Sequence, residues 1–157
     1  SSDVCSSDLF LELGRSCVAK PYRDKRTVEL LWHGIWAYVK RYKIDVMFGC
    51  ASFDGTDIDA LALPLSFLHH NAKADREFTA KALPRRAIEM NRIPAEIINL
   101  KLALQSLPPL IKGYLRLGAK ILGAPAWDAD FNTADLPMMM RLQDLPSRYR
   151  RHFLKGA

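Results

Sequence analysis

Seven consecutive residues, Lys20-Pro21-Tyr22-Arg23-Asp24-Lys25-Arg26, hold four cations and stand directly before a run with helical spacing. Where a turn opens a helix, unpaired N–H groups converge and the helix dipole adds partial positive charge, so a basic turn in that place suits a phosphate or another compact anion. Other combinations do less. His70 and Asp75 have the spacing of an imidazole base oriented by a carboxylate, but four histidines among many acids make that match easy by chance, and no companion motif accompanies it. His69 and His70 are adjacent and so point apart, while His33 and His152 are distant, so no metal site is expected. Nor is a Ser-His-Asp nucleophile set present.

With 157 residues, 49% of them hydrophobic and 25% charged, the chain fits one domain with a core of its own. Its formal charge is +6, and setting aside residues 1–9, which carry two acids and no base, raises it to +8. An excess of this sign suits nucleic acid, anionic lipid or an acidic carrier protein. No base-reading motif is present, so nucleic acid is not expected. Cys5, Cys17 and Cys50 are odd in number, and the latter two lie in apolar runs, so reduced, buried thiols are expected rather than a disulfide framework. No apolar run approaches the roughly 18 residues of a spanning helix, and the N-terminus lacks the order of a signal peptide.

These residues need elements to position them. Residues 10–18 read as a strand ending at Lys20-Pro21. Val28, Leu31, Trp32, Ile35, Trp36 and Val39 then follow helical spacing, with Trp32 and Trp36 expected in the core. Residues 46–51, Val-Met-Phe-Gly-Cys-Ala, form a short continuous apolar run, as of a strand buried on both faces, closed by Asp54-Gly55. Strand, helix, strand implies a parallel crossover. A second helix is expected over 57–71, kinked or restarted at Pro64, then a surface excursion over 72–95. A third spans 97–117, broken at Pro108-Pro109 and ended by Gly118. Residues 119–123 and 131–140 read as two closing strands, with Pro137 implying an edge or a bulge.

This order resembles the C-terminal half of the GNAT acyltransferase superfamily: an α/β fold, here a partial mixed sheet flanked by helices with its N-terminal strands missing. In that superfamily a turn Arg/Gln-x-x-Gly-x-Gly/Ala binds the donor's pyrophosphate. Arg23 matches, whereas Arg26 and Val28 stand at the glycine positions. The change favours a carrier-bound phosphopantetheine over free coenzyme A. The resemblance implies donor contacts from Val18, Arg23, Lys25, Arg26 and Thr27, and carrier or acceptor contacts from Lys20 and Arg15.

The whole run, from Glu12-Leu-Gly-Arg-Ser-Cys-Val18 through Leu61-Ala-Leu-Pro-Leu-Ser-Phe-Leu-His-His70 to Asp130-Phe-Asn-Thr-Ala-Asp-Leu136, is similar to the L-ornithine N-alpha-acyltransferases that begin ornithine-lipid synthesis. The implied reaction moves a 3-hydroxyacyl chain from acyl carrier protein to ornithine's α-amine, with no permanently bound cofactor and acyl-phosphopantetheine as donor. Glu12-Leu-x-Arg15 also echoes the strand of acyl-homoserine-lactone synthases, and Glu12 becomes the candidate general base. An α-amine with a pKa of about 8 is mostly ammonium at neutral pH and must lose a proton to attack a thioester. Tyr114 and Gly118 match the superfamily's Tyr-x-x-x-Gly, which makes Tyr114 the candidate acid for the departing thiolate. Its alternative place is among Leu110, Ile111 and Leu117 on the helix's apolar side. Arg15 falls on the opposite strand face from Glu12 if pleating is regular.

The resemblance further implies cytoplasmic localisation, with peripheral contact at an anionic inner membrane. Residues 10–157 read as the C-terminal part of one acyltransferase domain, with three strands missing, and residues 1–9 as an adapter-derived artefact. The rival readings are an acyl-homoserine-lactone-synthase-like enzyme and a non-catalytic basic module that binds membrane through Arg148, Arg150 and Arg151.

Overall fold

The computed structural model describes residues 9–154, with side chains through residue 151. Cys5 and most of the stretch read as an artefact lie outside those residues. Leu9 is inside them: its carbonyl accepts from Asp45 N (2.9 Å) and Val46 N (3.2 Å), and its N–H donates to the Asp45 carboxylate.

Strand β1 (Phe10–Glu12) pairs in parallel with β2 (Val46–Asp54), and helix α1 (Lys25–Tyr42) crosses over between them. Asp24 caps α1 through Thr27 N, and Lys43 ends it in the left-handed conformation at φ 52. Trp36 and Val39 are buried, but Val28 and Leu31 are about half exposed, so the first turns of α1 reach past the core that the spacing anticipated. Helix α2 (Ile58–Asn71) runs through Pro64 without a restart. It starts at Asp57, whose carboxylate accepts from Asp59 N and Ala60 N. Helices α3 (Leu100–Ser106) and α4 (Pro109–Arg116) are the expected broken pair, with Pro109 in the first turn of α4. Gly118, at φ 89, follows.

Strand β3 (Lys120–Ile121), β4 (Ala126–Asp128) and β5 (Thr133–Arg141) complete a five-stranded mixed sheet in the order β1-β2-β5-β3, with β4 also on β5. The chain thus closes with three strands rather than two. Helix α5 (Ser147–Leu154) follows. β5 is central, which corrects the edge expected from Pro137. Pro137 sits between the residues paired with β3 and those paired with β4, and its carbonyl accepts from Leu122 N at 2.9 Å. A residue's N and C=O face the same edge of a strand, so the missing N–H of Pro137 falls at that interruption and leaves the β2 ladder intact.

Alternation sorts the sheet into two faces. Met47, Ala51 and Phe53 of β2, with Ala134, Leu136, Met138 and Met140 of β5, share one cluster with Trp36, Val39, Leu61, Leu65 and Ile111 of the helices. On the other face Glu12, Phe48, Cys50, Ser52 and Asp54 are exposed. β2 is therefore buried on one side, not two, and Cys17 and Cys50 are exposed rather than buried. The excursion after α2 also contributes to the core, because Ile88 and Met90 are buried. The buried Ser66 hydroxyl holds it there, donating to Met90 O (2.8 Å) and accepting from Arg92 N and Ile93 N.

Candidate active site

The expected strand over 10–18 stops at Glu12. Leu13 N still donates to Phe48 O at 2.7 Å, but Gly14 and Arg15 follow, the latter at φ 53, and the chain leaves β2. Pleat parity therefore does not reach Arg15, which is exposed beyond the strand. Gly49 permits the departure to start so close, since a Cβ there would stand 2.7 Å from Leu13 O. β1 and β2 thus open into a cleft.

The cleft has about 390 Å³ of empty space, part of it open to solvent. Leu13, Trp32, Met47, Met138 and Met140 are among the residues that line it, so it suits an apolar arm or acyl chain, and methionines adapt to varied shapes. Tyr114 enters it from α4, half-buried, with the Trp32 ring edge-on at 6.0 Å. Trp32, partly buried against the core, also lines the cleft beside Tyr114. Burial pushes the Tyr114 phenol above its ordinary pKa, so it holds its proton at neutral pH.

Along the β1 side of β2, the carbonyl of Phe48 is taken by Leu13 N. Residues two apart face the same edge, so the Cys50 N–H points that way too, into the split, and no bond from it to Leu13 O is formed. A backbone donor aimed into an apolar cleft can hold a carbonyl oxygen as negative charge grows on it. Residue-type patterns give no sign of this group, because every residue but proline has one.

Glu12 lies on the open face of the sheet, across the split from the helix side that carries Tyr114. Its carboxylate folds over Gly14, makes no ion pair among the described residues, and is near enough to Cys50 to act on the thiol. Although the residue as a whole is exposed, partial desolvation of its sulfur, then Asp135, then Glu12 raise the Cys50 thiol above its ordinary pKa. Asp135 accepts from Ser52 Oγ at 2.6 Å and Thr133 Oγ1 at 3.0 Å, so this face carries a second carboxylate near the split.

The basic turn is built differently from a backbone phosphate loop. A short 3-10 turn spans Lys20–Tyr22, and Arg23 Nε donates to Val18 O at 2.9 Å, tying the turn closed and occupying the Val18 carbonyl. Thr27 N donates to Asp24 Oδ1 at 2.7 Å. That bond, with others from the Thr27 side chain and Arg26 N–H, holds the Asp24 carboxyl below its usual pKa. An aspartate thus fills the place at the start of α1 where a phosphate was expected. Lys20, Lys25 and Arg26 remain exposed around it, with Lys25 3.7 Å from Glu29. His70 Nε2 lies 3.0 Å from Ile93 O and Asp75 lies against Arg141, so the two do not form a base and its orienting acid. Among the described residues no cluster of metal-ligating side chains occurs.

A family of acetyltransferase (GNAT) domains matches residues 4–33, which cover β1, the basic turn and the first half of α1. The L-ornithine N(alpha)-acyltransferase of Brucella abortus is 54% identical over 144 residues, 92% of this chain and 51% of that protein. Proteins of the same name from Agrobacterium fabrum and Rhodobacter capsulatus are 49% and 37% identical, over 92% and 93% of the chain and 49% and 56% of their own lengths. The chain therefore spans about half the length of the curated relatives it matches. No solved structure matches it significantly. Identity of this extent along nearly the whole chain, joined to the GNAT match on β1 and α1, makes this chain similar to about half the length of L-ornithine N(alpha)-acyltransferases, with a GNAT acyltransferase match at its start.

Proposed function

We propose that this chain carries the donor cleft and acid–base groups of an N-acyltransferase that moves a 3-hydroxyacyl group from acyl carrier protein to the α-amine of ornithine, at the cytoplasmic side of the membrane. The observation that carries the reading is the split between β1 and β2, with the Tyr114 phenol inside it and the Cys50 N–H turned toward it.

The phosphopantetheine arm enters the cleft, and the thioester carbonyl accepts from Cys50 N–H. The amine approaches from the open face. Glu12 takes a proton from the ammonium, directly or through a water, and the freed nitrogen attacks the carbonyl carbon. The C–N bond forms as the C–S bond breaks, Tyr114 gives its proton to the departing thiolate, and the second proton that the nitrogen sheds on becoming an amide restores the phenol through solvent. Asp135, on the same face but across β2 from Glu12, adds negative charge that attracts the cationic acceptor. Because Asp24 already takes the N–H groups at the start of α1, the phosphate is held by side chains, with Lys20, Lys25 and Arg26 around the cap and Arg23 shaping the turn. Val18 and Thr27 serve through the backbone of that turn, and Arg15, exposed two residues beyond Leu13 of the cleft wall, meets the carrier or acceptor.

Supplying acyl-loaded carrier protein, ornithine and the full chain, and weighing the product, tests this reading. The expected product is the α-amide of ornithine, formed about a hundred- to ten-thousand-fold more slowly by Tyr114→Phe, the range typical of a lost proton donor. Transfer to S-adenosylmethionine instead, or an unchanged rate in Tyr114→Phe, would sink it.

A further inference from the structure

We propose that the α3–α4 face is a docking surface for an anionic lipid bilayer. From Ile97 to Trp127 the chain has four cations, Lys101, Lys112, Arg116 and Lys120, and no acid. In a chain with 17 acidic residues, that is a long stretch of one sign. The same stretch leaves its aliphatic side chains in water: Ile97 is 72% exposed, Leu100 58% and Leu110 51%. They are not a failed core, because Ala103, Leu107 and Ile111 already bury the inner sides of both helices.

An open groove runs between α3 and α4. Leu104 and Leu115 line it, and Lys101, Lys112 and Arg116 stand along it. None of these cations pairs with a carboxylate among the described residues, and the one hydrogen bond here runs from Lys112 Nζ to Gln105 O, a backbone carbonyl. Unpaired cations beside exposed leucines match the two layers of a bilayer surface, anionic headgroups over acyl chains. An acidic protein would satisfy the cations but would gain less from so many protruding aliphatic side chains. Exposure and charge alone carry this inference, independently of the acyl-transfer reading. The two readings do meet on α4, which turns Tyr114 inward to the cleft and Lys112 and Arg116 outward, so an amphiphilic product would form one helix away from lipid.

The test is co-sedimentation of the full chain with phosphatidylcholine vesicles, with and without phosphatidylglycerol. Binding is expected only with the anionic lipid and should weaken with salt. Each cation near an anionic surface contributes about fivefold, so Lys101→Gln, Lys112→Gln and Arg116→Gln together should lower partitioning about a hundredfold. Leu100→Ser with Leu104→Ser should lower it with the charge unchanged. A polarity-sensitive dye on Leu104→Cys, in a chain whose Cys5, Cys17 and Cys50 are changed to Ser, should shift to the blue on anionic vesicles, which reads contact without removing a cation. The proposal is overturned if the dye does not shift, if binding instead follows Arg148, Arg150 and Arg151, or if the triple variant loses carrier-protein binding while keeping vesicle binding.

Discussion

Gly49→Ala is the perturbation that bears most directly on the split between β1 and β2. The added methyl group would stand 2.7 Å from the Leu13 carbonyl oxygen, a backbone atom with no flexible end to yield, so the strands must part by several tenths of an ångström. Overpacking of this kind costs about 1–3 kcal/mol. Parting also strains the 2.7 Å bond from Leu13 N to Phe48 O, a hydrogen bond of the sort worth a net ~1 kcal/mol. The two effects sum to about 2–4 kcal/mol, which at roughly 2–4 °C per kcal/mol for a chain of this size lowers the melting temperature by about 5–15 °C. Gly34→Ala is the control. It lies in α1 with nothing within 4 Å of an added Cβ, and exchanging a helical glycine for alanine there should stabilise by about 0.5–1 kcal/mol. Thermal melts followed by far-ultraviolet circular dichroism decide between them. If Gly49→Ala melts at or above the parent, or if Gly34→Ala falls by as much, the close approach of β1 to β2 is not what shapes the cleft.

Other expectations follow from the charged and titrating groups. Burial holds the Cys50 thiol and the Tyr114 phenol protonated past their ordinary values of 9.0 and 10.0, so each favours the folded chain below those values and the gain is lost as pH rises through the higher folded ones. Melts should therefore show an alkaline loss of stability that Cys50→Ser and Tyr114→Phe each reduce, and an unchanged profile would contradict the burial. Cys50 should alkylate more slowly in the folded chain than after denaturation at neutral pH, and Glu12→Gln should speed it. Equal rates in the parent and Glu12→Gln would place the carboxylate elsewhere. Asp24→Asn keeps an oxygen on Thr27 N but removes the charge that faces an incoming phosphate, so the KM for the acyl carrier should fall, and a rise would mean that the aspartate helps the donor bind.

Much of the fold was legible in the residues because the helices are amphipathic and the prolines and glycines punctuate them. The spacing from Trp32 to Val39 and the pair Pro108-Pro109 led to α1, α3 and α4 with little ambiguity. The sheet was harder. In residues 46–51 the exposed Phe48 and Cys50 are as apolar as the buried Met47 and Ala51, so composition hid the alternation that separates an open face from a covered one. Residues 10–18 looked continuous because nothing in Glu12-Leu-Gly-Arg marks where pairing ends. The split depends on Gly49, 36 residues away, meeting Leu13. Of the candidate site, Tyr114 and Glu12 were singled out by their patterns, and the structure sets them on opposite sides of the split. Trp32 read as core, and it packs against the core's edge while also lining the cleft. Asp24 was a plain acid in a basic turn until its carboxylate met the N–H groups at the start of α1.

The proton given by Tyr114 to the leaving sulfur is the step on which the account turns, and exchanging the leaving group isolates it. Transfer rates for the parent and Tyr114→Phe should be compared with two donors that carry the same acyl chain, an alkyl thioester like that of phosphopantetheine and an aryl thioester whose thiolate departs without needing a proton. The account predicts a loss of about a hundredfold or more for Tyr114→Phe with the alkyl donor and a much smaller loss with the aryl donor. An equal loss with both would show that Tyr114 shapes the cleft without donating the proton, and would contradict the mechanism.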